Sequence, residues 1–188
     1  MQDGRSGAAS GDAAPNLAET ATDTRTAVLD TPVGPLTVAW NGNSILRVRF
    51  NDPGTIETSA PGPEAVDATA PAQLLEYFAG QRRQFDVCPH WSRVDEPARH
   101  VLRTLTRIAP FGTTVSYGEL ATASGLAAGA ARQVGGILGA NPWPVLVPCH
   151  RVLMADGSLG GFGGGLWRKE LLLQHEGVLP ATLLPLQP

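Results

Sequence analysis

The chain has 188 residues, of which 43% are hydrophobic and 16% charged, and its formal net charge is −3. This length suits one larger domain or two small ones, and the hydrophobic share is sufficient for a real core. The apolar runs are too short to cross a bilayer, and the acidic balance argues against a general binder of polyanions. Two cysteines, Cys88 and Cys149, can form neither a disulfide scaffold nor a four-cysteine zinc site.

Residues 1–24 are rich in small and polar side chains and nearly devoid of large apolar ones. Such a segment cannot bury enough surface to offset the entropy of ordering it, so we predict a disordered tail. The segment also lacks the basic start and the apolar stretch of a secretory signal. We therefore expect a cytoplasmic protein.

Residues 25–92 predict a small α/β domain, an antiparallel sheet with one helix. Asn41-Gly42 lies between two β-rich runs, which is a strong hairpin signal. Gly80 is placed to end the helix. The predicted elements are strands at 26–29, 36–40 and 44–50, a loop at 51–70 and a helix at 73–78.

Residues 93–180 predict a mostly helical second domain. Asp95 is placed to cap a helix that has Pro97 in its first turn and ends before Pro110. The apolar residues of this helix recur at helical spacing. They are Val101, Leu102, Leu105 and Ile108.

Two further short helices are predicted at 116–123 and 130–139, joined by a turn at Ser124-Gly125. Ser116 and Glu119 have the spacing of a capping box. The arrangement is typical of a helix-turn-helix, although ordinary helix packing also gives this pattern.

The charge is distributed unevenly along the chain. Residues 99–151 contain five arginines and one acid, so this segment is formally +4 and the remainder carries −7. A positive half on an acidic protein favours a phosphate-binding face. The alternative is a solvated helix face, since Arg99, Arg103 and Arg107 are spaced four residues apart.

The sequence NPWPVLVPCHRV at 141–152 contains the candidate chemistry. Its prolines predict a rigid extended stretch, and Val145-Leu146-Val147 predicts a short buried strand. A thiol next to an imidazole is a candidate nucleophile, because the thiolate is the attacking species. Neighbouring strand residues point to opposite faces, so His150 would need a bent backbone or a bridging water to reach the sulfur of Cys149. The alternatives are an inert buried cysteine beside a surface histidine, and a cysteine hydrolase.

Several ordered motifs together resemble the O6-alkylguanine-DNA alkyltransferase family over residues 25–180. The segment 141–152 is similar to the active-site signature of this family. The other similar segments are TPVGPL at 31–36, YFAG at 77–80, FGTTVSYGELA at 111–121, AARQVGG at 130–136, GGFGGGL at 160–166 and 169–177.

The resemblance implies a ribonuclease-H-like α/β domain at 25–92 and a winged-helix-like DNA-binding domain with a helix-turn-helix at 93–180, followed by a tail at 181–188. It also implies DNA repair in which a methyl or larger alkyl group moves irreversibly from O6-alkylguanine, or from O4-alkylthymine, to Cys149. The expected partner is double-stranded DNA that contains the lesion, the expected state is a monomer, and neither cofactor nor membrane is expected. A non-catalytic DNA-damage sensor is the main alternative, although such proteins lack the cysteine.

The same resemblance implies the roles of individual residues. His150 is expected to act as a base through a water and Glu176 to orient it, while Asn141 braces the active-site turn. Tyr117 is expected to help rotate the nucleotide and to donate a proton to the base, and Arg132 to fill the space that the flipped base leaves. Further DNA contacts are expected from Ala130, Ala131, Gln133, Gly135, Tyr117 and Arg151, and the substrate pocket from Pro144, Val152, Phe162, Gly163 and Gly164.

The resemblance also bears on the size of the pocket and on metal binding. Gly163 and Gly164 are expected to leave space for adducts bulkier than methyl. Some family members hold a structural zinc in the first domain, and here Cys88, His90 and His100 lack an evident fourth ligand. We therefore predict no metal, and a structural role for Cys88.

Overall fold

A computed structural model describes residues 24–52 and 69–180. The predicted tails at 1–24 and 181–188 lie outside the described residues, apart from residue 24. Most of the predicted loop at 51–70 lies outside them as well.

The first domain is built on a four-stranded sheet in the order β1-β2-β3-β4. Strands β1 (Arg25–Leu29), β2 (Leu36–Asn41) and β3 (Ser44–Phe50) are antiparallel neighbours, which confirms the predicted hairpin. A short strand β4 (Cys88–Pro89) runs parallel to β3, so the sheet is mixed rather than purely antiparallel. Alternate residues of β2 are buried, as one covered face requires.

Helix α1 (Thr69–Phe78) covers this sheet. It begins four residues before the predicted start, because Pro71 is tolerated in the first turn of a helix, where its missing N–H would have no partner. Leu74 and Tyr77 are completely buried on its inner face.

Helix α2 (Ala98–Ile108) opens the second domain. The predicted apolar stripe is confirmed, with Val101, Leu102 and Leu105 buried. The prediction that Asp95 caps this helix was wrong. The helix starts after Pro97, and the Glu96 carboxylate accepts the hydrogen bond from the His100 backbone N–H instead, at 3.1 Å.

Helices α3 (Tyr117–Ala123) and α4 (Ala131–Gly139) form the predicted helix-turn-helix. The capping box is present, because the Ser116 hydroxyl accepts from the Glu119 N–H and the Glu119 carboxylate accepts from the Ser116 N–H. The cap places Tyr117 at the first position of α3.

The last elements close the second domain around the segment that follows α4. Strand β5 (Val115–Ser116) pairs in parallel with β6 (Val152–Leu153), which brings the start of α3 beside the residues that follow Cys149. Helix α5 (Leu166–His175) completes the described fold. None of the described helices combines the length and the apolar character needed to cross a membrane.

The two domains share one hydrophobic core and are joined by polar contacts. The Trp143 indole N–H donates to the Leu46 carbonyl at 3.2 Å, and the Val48 N–H donates to the Pro142 carbonyl at 2.9 Å. Strand β3 is therefore attached to the turn that leads to Cys149.

Because Ser116 caps α3, replacing it with Ala should lower the free energy of unfolding by about 1 kcal/mol. The matched control is Thr122→Ala on the exposed face of the same helix, which should change it by less than about 0.5 kcal/mol. Urea denaturation of both variants measures the difference. Equal effects would show that the cap does not stabilise the helix.

Candidate active site

Cys149 and His150 lie in a bent segment rather than at the end of a strand. The prediction that Val145-Leu146-Val147 is a strand was wrong, because the chain turns there and Val145 adopts a positive φ of 74°. The Val147 N–H donates to the Trp143 carbonyl and the Cys149 N–H to the Val147 carbonyl, each at 2.8 Å. Residues 149–151 then form a short 3₁₀ helix. We call residues 141–151 the acceptor turn.

Asn141 braces the acceptor turn from inside. Its side-chain amide donates to the Val147 carbonyl at 2.9 Å and to the Cys149 sulfur at 3.1 Å, and its oxygen accepts from the Trp143 N–H at 3.0 Å. One side chain therefore fixes the turn and also touches the candidate nucleophile.

His150 is completely buried, contrary to the surface position considered above. Its Nε2 lies 3.0 Å from Glu176 Oε1, as the resemblance implies. Its Nδ1 is buried and has no hydrogen-bond partner among the described residues. Burial lowers the pKa of His150, against the opposing influence of the Glu176 carboxylate, so the neutral imidazole is favoured.

Glu176 is a buried carboxylate surrounded by donors. Oε1 accepts from the Tyr77 hydroxyl and Arg151 Nη2, both at 2.7 Å, and Oε2 accepts from Arg151 Nε at 2.8 Å and the Gly112 N–H at 3.4 Å. Burial alone would raise the pKa of Glu176, but the hydrogen bonds from His150 and Arg151 outweigh it and hold the pKa well below its usual range.

The DNA contact predicted for Arg151 requires a correction. Its guanidinium is buried, bonds Glu176 in a bidentate manner and donates to the Ala109 carbonyl at 2.7 Å. A side chain whose donors are engaged inside the protein is not available to a phosphate. Arg151 therefore belongs to the buried network.

Lys169, for which no role was predicted, lies close enough to Cys149 for each to affect the pKa of the other. This completely buried lysine donates to the carbonyls of Val152 and Leu159. Burial lowers its pKa to about 8, with the Cys149 thiolate acting in the opposite direction. Burial likewise raises the pKa of Cys149, while the Asn141 amide and the charge of Lys169 partly offset this effect. Nothing in the sequence marked this lysine as buried, because its acceptors are backbone carbonyls of another segment.

A cavity of about 680 Å³ opens beside Cys149, a size in the range of small-molecule sites. Tyr117, Gly135, Cys149, Phe162 and Gly163 line it, as do Arg132 and Ala131. The Tyr117 hydroxyl donates to the Gly161 carbonyl at 3.3 Å. Burial, and secondarily the nearby Cys149, raises the pKa of Tyr117, so its phenol stays protonated.

Three predicted pocket residues do not line this cavity. Pro144 and Gly164 line a second cavity, of about 430 Å³, which also reaches Cys149 from the side of strand β3. Val152 is completely buried, and its carbonyl accepts from Lys169.

The expectation that Gly164 leaves space was wrong. A Cβ at this position would lie 2.6 Å from the ring of Phe50 and 2.9 Å from that of Phe162. The two rings pack edge to face and occupy the position that a side chain at residue 164 would take. At Gly163 a Cβ would meet only the Gly139 carbonyl at an ordinary 3.6 Å, so any free volume lies there.

The predicted DNA-contacting residues of α4 lie on its accessible side. Arg132 and Gln133 are exposed, and Ala130, Ala131 and Gly135 are half-buried. The helix can be approached closely at Gly136, which has open space around it, while Gly135 faces the Tyr117 ring. Among the basic residues of α2, by contrast, Arg99 pairs with Glu96 and Arg103 lies over the Trp91 ring.

The residues considered for zinc do not converge. Within 24–52 and 69–180 no three potential metal ligands cluster. Cys88 is an exposed free thiol, and His90 Nδ1 lies 3.2 Å from the Ser44 hydroxyl. The predicted absence of metal stays a prediction.

The fold is a small α/β domain followed by a helix-turn-helix domain, and its site is a candidate nucleophilic cysteine beside a cavity of about 680 Å³. Two family models match the chain: 6-O-methylguanine DNA methyltransferase, ribonuclease-like domain, at residues 24–89, and 6-O-methylguanine DNA methyltransferase, DNA binding domain, at residues 96–178. The chain belongs to the 6-O-methylguanine DNA methyltransferase family.

Curated relatives and a solved structure agree with this assignment. A methylated-DNA–protein-cysteine methyltransferase of Mycobacterium tuberculosis is 44% identical over 152 residues, covering 79% of this chain and 89% of the relative. A methylated-DNA–protein-cysteine methyltransferase of Shigella flexneri is 39% identical over 164 residues, covering 79% of this chain and 93% of the relative. The crystal structure of Mycobacterium tuberculosis OGT in complex with DNA matches with a TM-score of 0.69 and 40% identity, covering 83% of this chain and 95% of that one. The predicted fold class is confirmed.

Because the Asn141 amide donates to the Cys149 sulfur, Asn141→Ala should raise the pKa of the thiol. Alkylation by iodoacetamide, followed as a function of pH, should then shift to higher pH. The measurement uses the Cys88→Ser background, in which Cys149 is the only thiol. An unchanged profile would show that the amide does not stabilise the thiolate.

Glu176 should make the free energy of unfolding depend on pH in the acid range. Its folded pKa is depressed, so its contribution is present above the unfolded pKa of about 4.3 and is lost as the pH falls below that value. The stability difference between wild type and Glu176→Gln should therefore narrow by roughly 2 kcal/mol from pH 7 to pH 3. Urea denaturation at both pH values measures it, and a constant difference would contradict the pairing.

Proposed function

We propose that this protein repairs O6-alkylguanine, or O4-alkylthymine, in double-stranded DNA by moving the alkyl group to Cys149. The observation that carries the proposal is the buried sulfur at the edge of a pocket, backed by His150 and Glu176. Family membership supports direct alkyl transfer as the reaction class. We propose the choice of lesion and the roles of the individual residues on the geometry of the site.

The Cys149 thiol must first lose its proton, because the thiolate is the attacking form. His150 is the proposed acceptor through a bridging water, since the free Nδ1 is its only nitrogen not engaged with Glu176. Glu176 fixes the ring and stabilises the imidazolium that forms. Asn141 and Lys169 support the negative sulfur.

The thiolate then displaces guanine from the alkyl carbon. A sulfur–carbon bond forms, the carbon–O6 bond breaks, and its electron pair stays on guanine. Tyr117 is the proposed donor of the proton that the departing base takes up, since it lines the pocket and remains protonated. His150 then releases its proton to solvent and Tyr117 takes one up, so in net terms the thiol proton ends on guanine and the alkyl group on sulfur. The thioether has no route of cleavage, so one molecule acts once.

The base must leave the duplex to reach this pocket. Arg132 is the proposed residue that fills the vacated stack, because it is exposed on α4 and also lines the pocket. Ala130, Ala131 and Gly135 allow α4 to enter a minor groove, and Gln133 can hydrogen-bond base edges there.

We propose that the domains span 25–92 and 93–180 and that the protein acts as a monomer in the cytoplasm.

The decisive experiment incubates equimolar protein with a duplex that contains one O6-methylguanine and weighs the intact protein. Wild type should gain one CH2 unit, mapped to Cys149, and the reaction should stop at one equivalent. Cys149→Ala should gain nothing, while Cys88→Ser should react normally. An unchanged mass with tight binding would favour a damage sensor, and repeated turnover of an ester or amide would favour a hydrolase. Either outcome overturns the proposal.

A further inference from the structure

Tyr77 connects the first domain to the catalytic network of the second. It lies on helix α1, is completely buried and donates its hydroxyl proton to Glu176 Oε1 at 2.7 Å. The two residues are 99 positions apart in the chain. The mechanism described above does not use this contact.

The geometry of Tyr77 is fixed on several sides. Its ring packs against Phe85, Phe111 and His175, with centroid distances of 5.6, 6.0 and 4.9 Å. The backbone carbonyl of Tyr77 lies 2.7 Å from His175 Nε2, at the end of α5 directly before Glu176. Two hydrogen bonds therefore connect α1 with the segment that holds the carboxylate.

Oxygen Oε1 of Glu176 is shared by three partners. They are Tyr77, Arg151 Nη2 at 2.7 Å and His150 Nε2 at 3.0 Å. Burial, together with the adjacent Glu176, raises the pKa of Tyr77 well above its usual value. The phenol therefore stays neutral and donates a hydrogen bond to Glu176. Each donor to Oε1 draws electron density from the carboxylate and weakens its hold on the imidazole.

We propose that Tyr77 is a positioning residue for alkyl transfer, which holds the Glu176 carboxylate against His150 and moderates its attraction for the imidazole proton. The proposal rests on the proposed function. It makes the first domain part of the reaction machinery, because a side chain of that domain bonds the group that orients the base.

Other groups also face this network. Arg151 and the Gly112 N–H bond Glu176, and Lys169 and Arg151 act on His150 by charge. Cys149 precedes His150, and His175 packs on the Tyr77 ring. Tyr77→Phe leaves all of these groups in the protein and removes only the hydroxyl that donates to Glu176, so the variant is designed to delete one hydrogen bond.

The test measures the rate of methyl transfer to Cys149 as a function of pH, in single-turnover reactions. Neutral His150 accepts the proton, so the rate falls on the acid side as the imidazole becomes protonated. Without the hydroxyl, the carboxylate holds the imidazolium more tightly, and the acid midpoint in Tyr77→Phe should move upward by about one pH unit. The rate on the acid limb should fall about tenfold, and the plateau should change little.

A structural role would give a different result. Leu74→Ala removes a buried side chain from the same helix without touching Glu176, so it should lower the melting temperature and leave the midpoint unchanged. A second variant carries 3-fluorotyrosine at position 77, which keeps the shape of the side chain and is a stronger donor. Its midpoint should move downward.

Unchanged midpoints in both Tyr77 variants would overturn the proposal. If Tyr77→Phe does not fold, the fluorotyrosine protein decides alone. An NMR titration of the His150 ring should show the same shifts without any transfer. Failure of wild type to accept methyl would therefore overturn the proposed function, while the Tyr77 question would still be answered.

Discussion

The buried carboxylate of Glu176 is the constraint on which the site depends. A buried charge is tolerated only when it is paired and hydrogen-bonded, and here the donors come from separate parts of the chain. Helix α1 provides Tyr77, the loop before β5 provides Gly112, and the acceptor turn provides His150 and Arg151. Satisfying one carboxylate therefore holds both domains and the acceptor turn in a single arrangement.

The sulfur of Cys149 lies on the accessible side of that arrangement. The bent backbone places His150 inward, while Cys149 lines the two cavities. Arg168 and Lys169, adjacent on α5, hold the glycine-rich segment 160–165 near both ends: Arg168 donates to the Gly164 carbonyl and Lys169 to that of Leu159. This segment is rich in glycine, and two side chains of α5 nevertheless hold its backbone by hydrogen bonds.

The sequence predicted those features that depend on short-range rules or on contiguous motifs. The hairpin at Asn41-Gly42 and the Ser116 capping box are local, and the pairing of His150 with Glu176 followed from the family resemblance. Features that depend on distant contacts were missed. Arg151 was predicted to contact DNA, because its buried partner Glu176 is not evident from the sequence. Gly164 was predicted to leave space, because the sequence does not show that Phe50 of the first domain packs against it. Tyr77 belongs to a segment that resembles the family, but no role was predicted for it, because its hydroxyl meets a residue 99 positions along the chain.

The most direct test of the account is a crystal structure of the Cys149→Ser protein bound to a duplex that contains O6-methylguanine. We expect the damaged base outside the duplex, in the cavity lined by Tyr117 and Gly135, with its methyl carbon facing residue 149 and Arg132 in the vacated stack. His150 should remain bonded to Glu176. A base that stays stacked in the duplex, or a methyl group far from residue 149, would contradict the account.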